Sequence, residues 1–130
     1  MRVCLKYKKG LFSKKKFEII KDFTKLLNKI MPLSKELHLY FLDERIGKMT
    51  TGSYKENEFK IKVLSKGRIV SDILRTLSHE WAHAFDKEHI NFEDRRDVGG
   101  DSENFANAMS GAITKHYIKK HPELEDTIFE

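Results

Sequence analysis

Between Val70 and Lys87 the apolar residues Ile73, Leu74, Leu77, Trp81, Ala84 and Phe85 fall within one broad arc when stepped at about 100° per residue. Such a stripe commits the segment to a helix buried along one side, and the rest of the chain must supply the layer that covers it. Thr76, His79, His83 and Asp86 form a second stripe nearly opposite the first. One side of this helix therefore packs while the other presents groups that can titrate or bind.

The remaining elements follow from the same periodicities. Val3, Leu5 and Tyr7 alternate with polar neighbours and predict a short strand before the Lys8-Lys9-Gly10 break. From Ser13, an N-cap residue, Phe17, Ile20, Phe23, Leu27 and Ile30 predict a helix that ends at Met31-Pro32 and packs on a sheet. Leu37, Leu39 and Phe41 predict a strand buried on both faces or nearly so, in which His38 is structural. Past a glycine-containing stretch around Gly47 and Gly52, Phe59, Ile61 and Val63 face one way and Glu58, Lys60 and Lys62 the other. The charged side suits a strand at a sheet edge, where lysines discourage pairing with other chains. Ser65 to Arg68 is then a turn, and Asn91 to Gly100 a charged loop. Asp101 or Ser102 caps a last helix running to about Lys120, with Phe105, Met109, Ala112 and Ile113 as its core face.

Composition bounds what these elements can do. A chain of 130 residues has room for one compact domain, residues 1–130, and nine Phe, four Tyr and one Trp supply its core. Cys4 is the only cysteine, which excludes an internal disulfide and any zinc site built from several thiolates, and fits a cytoplasmic address. No apolar run approaches a membrane span, so the expectation is a soluble protein without a membrane partner. Residues 1–30 hold ten basic and two acidic side chains, an excess of eight, which leaves the other hundred at about −3 against a total of +5. Lys14, Lys15 and Lys16 beside an amphipathic stretch read as a solvated helix face, and nucleic acid is disfavoured as a partner.

The chemistry lies in His79-Glu80-Trp81-Ala82-His83, an HExxH sequence. Histidines four apart sit about 40° from each other on one helix face, so both imidazoles can reach one metal ion. Glu80 falls on the flank, where its carboxylate can act on water without displacing it. Chance alone would place this pattern in roughly one such sequence in forty, so a third ligand has to decide. Glu103, separated from His83 by nineteen residues and at the start of the next helix, can be delivered by a helix crossing the first. The alternative is His89, which completes HExxHxxDxxH, the spacing of the metzincins except that Asp86 stands where glycine is usual. A continuous helix would carry His89 about 15 Å along the axis from His79, and Asp serves the required sharp turn less easily than Gly. Glu103 is the preferred ligand.

Taken together, His79-Glu80-Trp81-Ala82-His83 and Glu103-Asn104-Phe105-Ala106-Asn107, with the gap between them, resemble the gluzincin metallopeptidases. Asp86 and the run Glu103-x-Phe-Ala are also similar to the catalytic domain of anthrax lethal factor and to small phage or bacterial relatives. The order of helix, small sheet, HExxH helix and glutamate helix is similar to the single-domain minigluzincins. The resemblance covers about residues 73 to 118. Asn107 departs from it, since the family often has Asp or Glu four residues after the ligand glutamate, and an amide orients an imidazole less strongly than a carboxylate.

The resemblance implies an α+β, zincin-like single domain with an N-terminal helix, a small mixed sheet, an HExxH helix and a C-terminal glutamate helix. It implies a zinc metallopeptidase, an endopeptidase rather than an exopeptidase, with Zn2+ on His79, His83 and Glu103 and Glu80 as general base. Asn107 and Asp86 are candidates to support the ligands. Tyr117, on the helix face shared by Glu103, Asn107, Ser110 and Thr114, is a candidate to stabilise the oxyanion, with Arg95 and Arg96 in the intervening loop as the alternatives. A polypeptide substrate would add to a sheet edge, for which the 57–64 strand is the natural choice. The acidic tail from Glu123 to Glu130 could cover the cleft or shield the basic N-terminal patch. The competing expectation is a non-catalytic, zinc-stabilised regulatory protein that uses its lysine-rich N-terminal face on nucleic acid. Oligomeric state is not legible in the sequence.

Overall fold

The computed structural model describes residues 2–47 and 49–130. They form a small α+β domain in the order β1 (Val3–Tyr7), α1 (Lys14–Ile30), β2 (Leu37–Leu42), β3 (Gly52–Lys55), β4 (Lys60–Leu64), α2 (Val70–Phe85), α3 (Asp101–Lys120) and α4 (Glu125–Ile128). Short turns of tighter or wider helix lie at Glu56–Glu58, Asp86–Ile90 and Pro122–Leu124. The mixed sheet has the order β1-β2-β4-β3, parallel except for β3, which runs antiparallel to β4. No helix among the described residues is long and apolar enough to cross a membrane.

The first helix begins as its sequence dictates, with the Ser13 hydroxyl accepting the Lys16 amide, and it stops at Met31 before Pro32. Ile20, Phe23 and Leu27 enter the core, joined by Ile19 and Thr24, whereas Ile30 at the end of the expected stripe is exposed. On β2, Leu37, Leu39 and Phe41 point into that core, and His38 and Tyr40 are half-buried on the other side. Trp81 is fully buried against this assembly, and its indole N–H donates to the Met31 carbonyl at 2.8 Å, so α2 is tied to the end of α1.

Two expectations are corrected here. The 57–64 segment is not an edge: β4 pairs with β2 on one side and β3 on the other, and strand pairing begins only after Phe59, whose φ of 51° breaks the extended backbone. The edge beside α2 is β3, four residues of the stretch expected to be loop. Gly52 is what lets it lie there. A side-chain carbon at Gly52 would sit 2.5 Å from Thr76 Cγ2 and 3.2 Å from Glu80 Cγ, so only a glycine allows this approach of strand to helix.

The buried face of α3 also differs from the expected one. Of Phe105, Met109, Ala112 and Ile113 only Ile113 is fully buried, and Ala112 is exposed. The buried positions are Ser102, Ala106, Ser110, Ile113, Thr114 and Tyr117, of which Ser102, Ser110 and Thr114 meet side chains of α2. Small side chains let two helices approach closely, and hydroxyls satisfied within the helix pair cost little to bury. Ser110 donates to the Arg75 carbonyl at 2.7 Å and Ser78 to the Leu74 carbonyl at 2.8 Å, with 3.1 Å between the two hydroxyls. The chain ends away from this contact, where Ile128 is fully buried and α4 packs on α1 and α2.

Candidate metal centre

His79 and His83 lie one turn apart on the same face of α2, as residues at i and i+4 do, with their rings 4.8 Å apart and nearly perpendicular. The start of α3 brings Glu103 against both. Its Oε1 is 3.1 Å from His79 Nε2 and its Oε2 is 3.0 Å from His83 Nε2, while the two Nε2 atoms are 3.2 Å apart. All these ligand atoms lie within 4.8 Å of one another, and the group could hold a metal ion. In a tetrahedral shell with metal–ligand bonds of about 2.0–2.1 Å, neighbouring donors stand about 3.3 Å apart. The two imidazole nitrogens stand close to that spacing, each faces a different oxygen of the Glu103 carboxylate at 3.0–3.1 Å, and this set of two nitrogens and a carboxylate suits a borderline divalent ion.

The loop before α3 explains how Glu103 arrives. Gly99 takes a φ of 78°, and a side-chain carbon at Gly100 would fall 2.6 Å from the Arg96 carbonyl oxygen. The loop folds tightly on itself, the Ser102 amide donates to the Asp94 carbonyl at 3.1 Å, and the next residue is Glu103.

Around the three donors the supporting groups are unequal. Asn107, at an exposed position, reaches His79, and its hydrogen bond works against the burial that lowers the pKa of that imidazole. Glu103 opposes the shift too, and His83 adds to it. Behind His83 the Ser102 hydroxyl stands 3.2 Å from Nδ1, and Asp86, fully buried, accepts from Ser102 at 2.7 Å. Asp86 therefore meets the centre through Ser102 rather than by touching an imidazole. Arg95 closes this network, 3.2 Å from Asp86 and 3.3 Å from the Ser102 oxygen.

Glu80 sits between the donors and the edge strand. Burial, with a smaller contribution from the Glu103 charge, pushes its carboxyl up to about 7. It lines two cavities. One, of about 350 Å³, is bounded by Thr50, Gly52, Thr76, His79 and Asn107. The other, of about 220 Å³, is bounded by Tyr54, His83, Lys87 and Arg95. The largest cavity, about 760 Å³, opens beyond Tyr54 between Leu37, Phe59 and Ala84.

Two candidates lie elsewhere. His89 does not reach the donors: α2 ends in a wide turn, with the Asn91 amide donating to the Asp86 carbonyl, and the imidazole faces the Pro32 carbonyl at 2.9 Å. A sharper reversal after His83 would be needed to return it. Tyr117 is a core residue, not an oxyanion donor. It packs edge-on against Phe23, its hydroxyl donates to Asp22 at 2.9 Å, and fourteen residues of helix separate it from Glu103. At 1.5 Å per residue that is about 21 Å. Its phenol is pushed up by burial and by Asp22 and stays neutral.

The residues that sequence reasoning missed are Ser102, read only as a helix cap, and Gly52, read as loop. Neither has a spacing signature; an Asp86 that needed a partner was the one available signal. The tail borders Lys16 and Arg68 through Glu130, on the α1 side, and does not enter the cavities beside Glu80. No protein-family model, no curated protein and no solved structure matches the chain, so the assignment of this centre stands on its own geometry.

Proposed function

We propose that the chain is a gluzincin-type, zincin-like zinc metallopeptidase that cleaves within polypeptides. The observation that carries this reading is the meeting of His79, His83 and Glu103 at one point of the α2–α3 contact, with the half-buried Glu80 beside them lining a cavity that borders the sheet edge at Gly52. His79, His83 and Glu103 would hold the ion, which leaves a four-coordinate metal one position not filled by protein, the arrangement of catalytic rather than structural sites. Zinc bound there would supply a Lewis acid that polarises a peptide carbonyl and acidifies water.

The chain's own residues supply the rest. Glu80, beside the two imidazoles and lining the same cavity as His79, can take a proton from water and hand it to the leaving amine. The outer edge of β3 offers backbone groups to an extended peptide, and antiparallel pairing would carry that peptide past Glu80. Low accessibility at Glu80 and the two imidazoles strengthens every charge interaction made during the reaction.

The test combines metal content with hydrolysis. Purified protein should hold one zinc per chain, lose it in His79→Ala and Glu103→Ala, and keep it in His89→Ala. Glu80→Gln should retain zinc and fold yet lose about 10²–10⁴-fold in peptide hydrolysis. Stoichiometric zinc with hydrolysis indifferent to Glu80 would favour a binding protein instead, and absence of zinc would remove the proposal.

A further inference from the structure

We propose that Ser102 is a positioning residue, relaying the buried Asp86 carboxylate onto Nδ1 of His83 and so fixing which nitrogen of that imidazole faces the metal. The inference rests on the metal reading above and adds a feature particular to this chain.

The proton directions follow from donor and acceptor capacity alone. Asp86 is fully enclosed, and its carboxylate only accepts. Oδ1 takes the Phe92 amide at 3.1 Å, and Oδ2 takes Arg95 at 3.2 Å and the Ser102 hydroxyl at 2.7 Å. Ser102 has one proton and gives it to Asp86, so towards His83, 3.2 Å away, its oxygen can only accept. Nδ1 of His83 must then carry the hydrogen. Nε2, the atom beside Glu103 and His79, is left with its lone pair for a cation.

The arrangement is asymmetric. His79 is approached by the Asn107 amide, at an exposed position. His83 has a charged group at the end of a two-bond chain, shielded from water and held by an arginine. A charge-assisted chain of this kind fixes ring orientation more firmly than a lone amide. Ser102 and Glu103 are consecutive, so the tight loop that delivers the third ligand delivers the relay in the same step. Arg95 also borders one of the two cavities lined by Glu80, so the relay lies beside that carboxylate.

The experiment uses the full chain and reads zinc affinity by chelator competition, with visible absorption of the cobalt-substituted protein as a second readout. Ser102→Ala should weaken zinc about 10- to 100-fold and change the cobalt bands. Ser102→Thr, which keeps the hydroxyl, should restore both, and Asp86→Asn should shift both in the direction of Ser102→Ala. Long-range proton–nitrogen NMR of the zinc-loaded wild type needs no variant and should show His83 protonated at Nδ1. Affinity within about twofold and unchanged cobalt bands in Ser102→Ala would overturn the relay while leaving the metal centre intact. Nδ1 found as the ligating atom would do the same. A wild type that binds neither zinc nor cobalt would remove the centre and the relay together.

Discussion

The two faces of α2 obey opposite rules. On one, Ile73, Leu74, Leu77 and Trp81 are buried among apolar neighbours, and the only polar atom, the indole nitrogen, is satisfied by the Met31 carbonyl. On the other, Thr76, His79, Glu80 and His83 are half-buried in a setting that raises the Glu80 carboxyl and lowers the His79 imidazole. The apolar face contributes free energy and fixes the helix; the polar face spends some of it holding like charges and imidazoles close together. A helix can carry such a face only while the opposite one is packed well enough to hold it still.

The sharpest way to break this division is to damage the packed face and watch the other. Trp81→Ala removes the largest fully buried side chain and its hydrogen bond, and should cost about 3–5 kcal/mol in denaturant unfolding. Zinc affinity should fall with it, although no ligand is altered. Wild-type zinc affinity in a destabilised Trp81→Ala protein would show that the two faces are independent.

Next in size is the strand that borders the polar face. Gly52→Ala puts a carbon against Thr76 Cγ2 and should cost about 1–3 kcal/mol or displace β3, slowing hydrolysis while zinc stays bound. Thr76→Ser deletes that methyl but keeps the hydroxyl that accepts from Arg68, so the double variant should recover much of the loss. No recovery would mean that the contact of β3 with the Thr76 methyl is not what limits it. The smallest effect belongs to Tyr117→Phe, about 1 kcal/mol of stability for the hydroxyl bonded to Asp22, with hydrolysis unchanged. A large loss of rate there would return Tyr117 to the reacting centre.

Legibility in the sequence followed the same division. The apolar arc of α2 and the four-residue spacing of its histidines are local periodicities, and both the helix and the closeness of the two imidazoles could be read from them. Glu103 was readable because it starts the next helix at a distance that lets it cross back. The strand β3 was not, since Gly-Ser-Tyr-Lys has neither alternation nor length, and it is held by pairing to β4 and by contact with Thr76. That same omission turned β4 into an apparent edge. The α3 face was misread because hydrophobicity marks a helix that packs on apolar side chains, whereas one that approaches another helix closely needs small residues and satisfied hydroxyls. The relay through Ser102 joins residues sixteen apart across a loop, and no periodicity reports such a contact.

The bond from Trp81 to the end of α1 gives the N-terminal third of the chain leverage over a centre to which it contributes no atom. Side-chain tips ride about 5–6 Å from a helix axis, so a roll of roughly 10° swings an imidazole by about 1 Å. Misplacement of that order can reduce a rate about 10²-fold. Aim of the two imidazoles depends on a backbone carbonyl at Met31, and substitutions that unsettle the close of the first helix should be felt as loss of zinc affinity, and of the proposed hydrolysis, before they are felt as loss of fold.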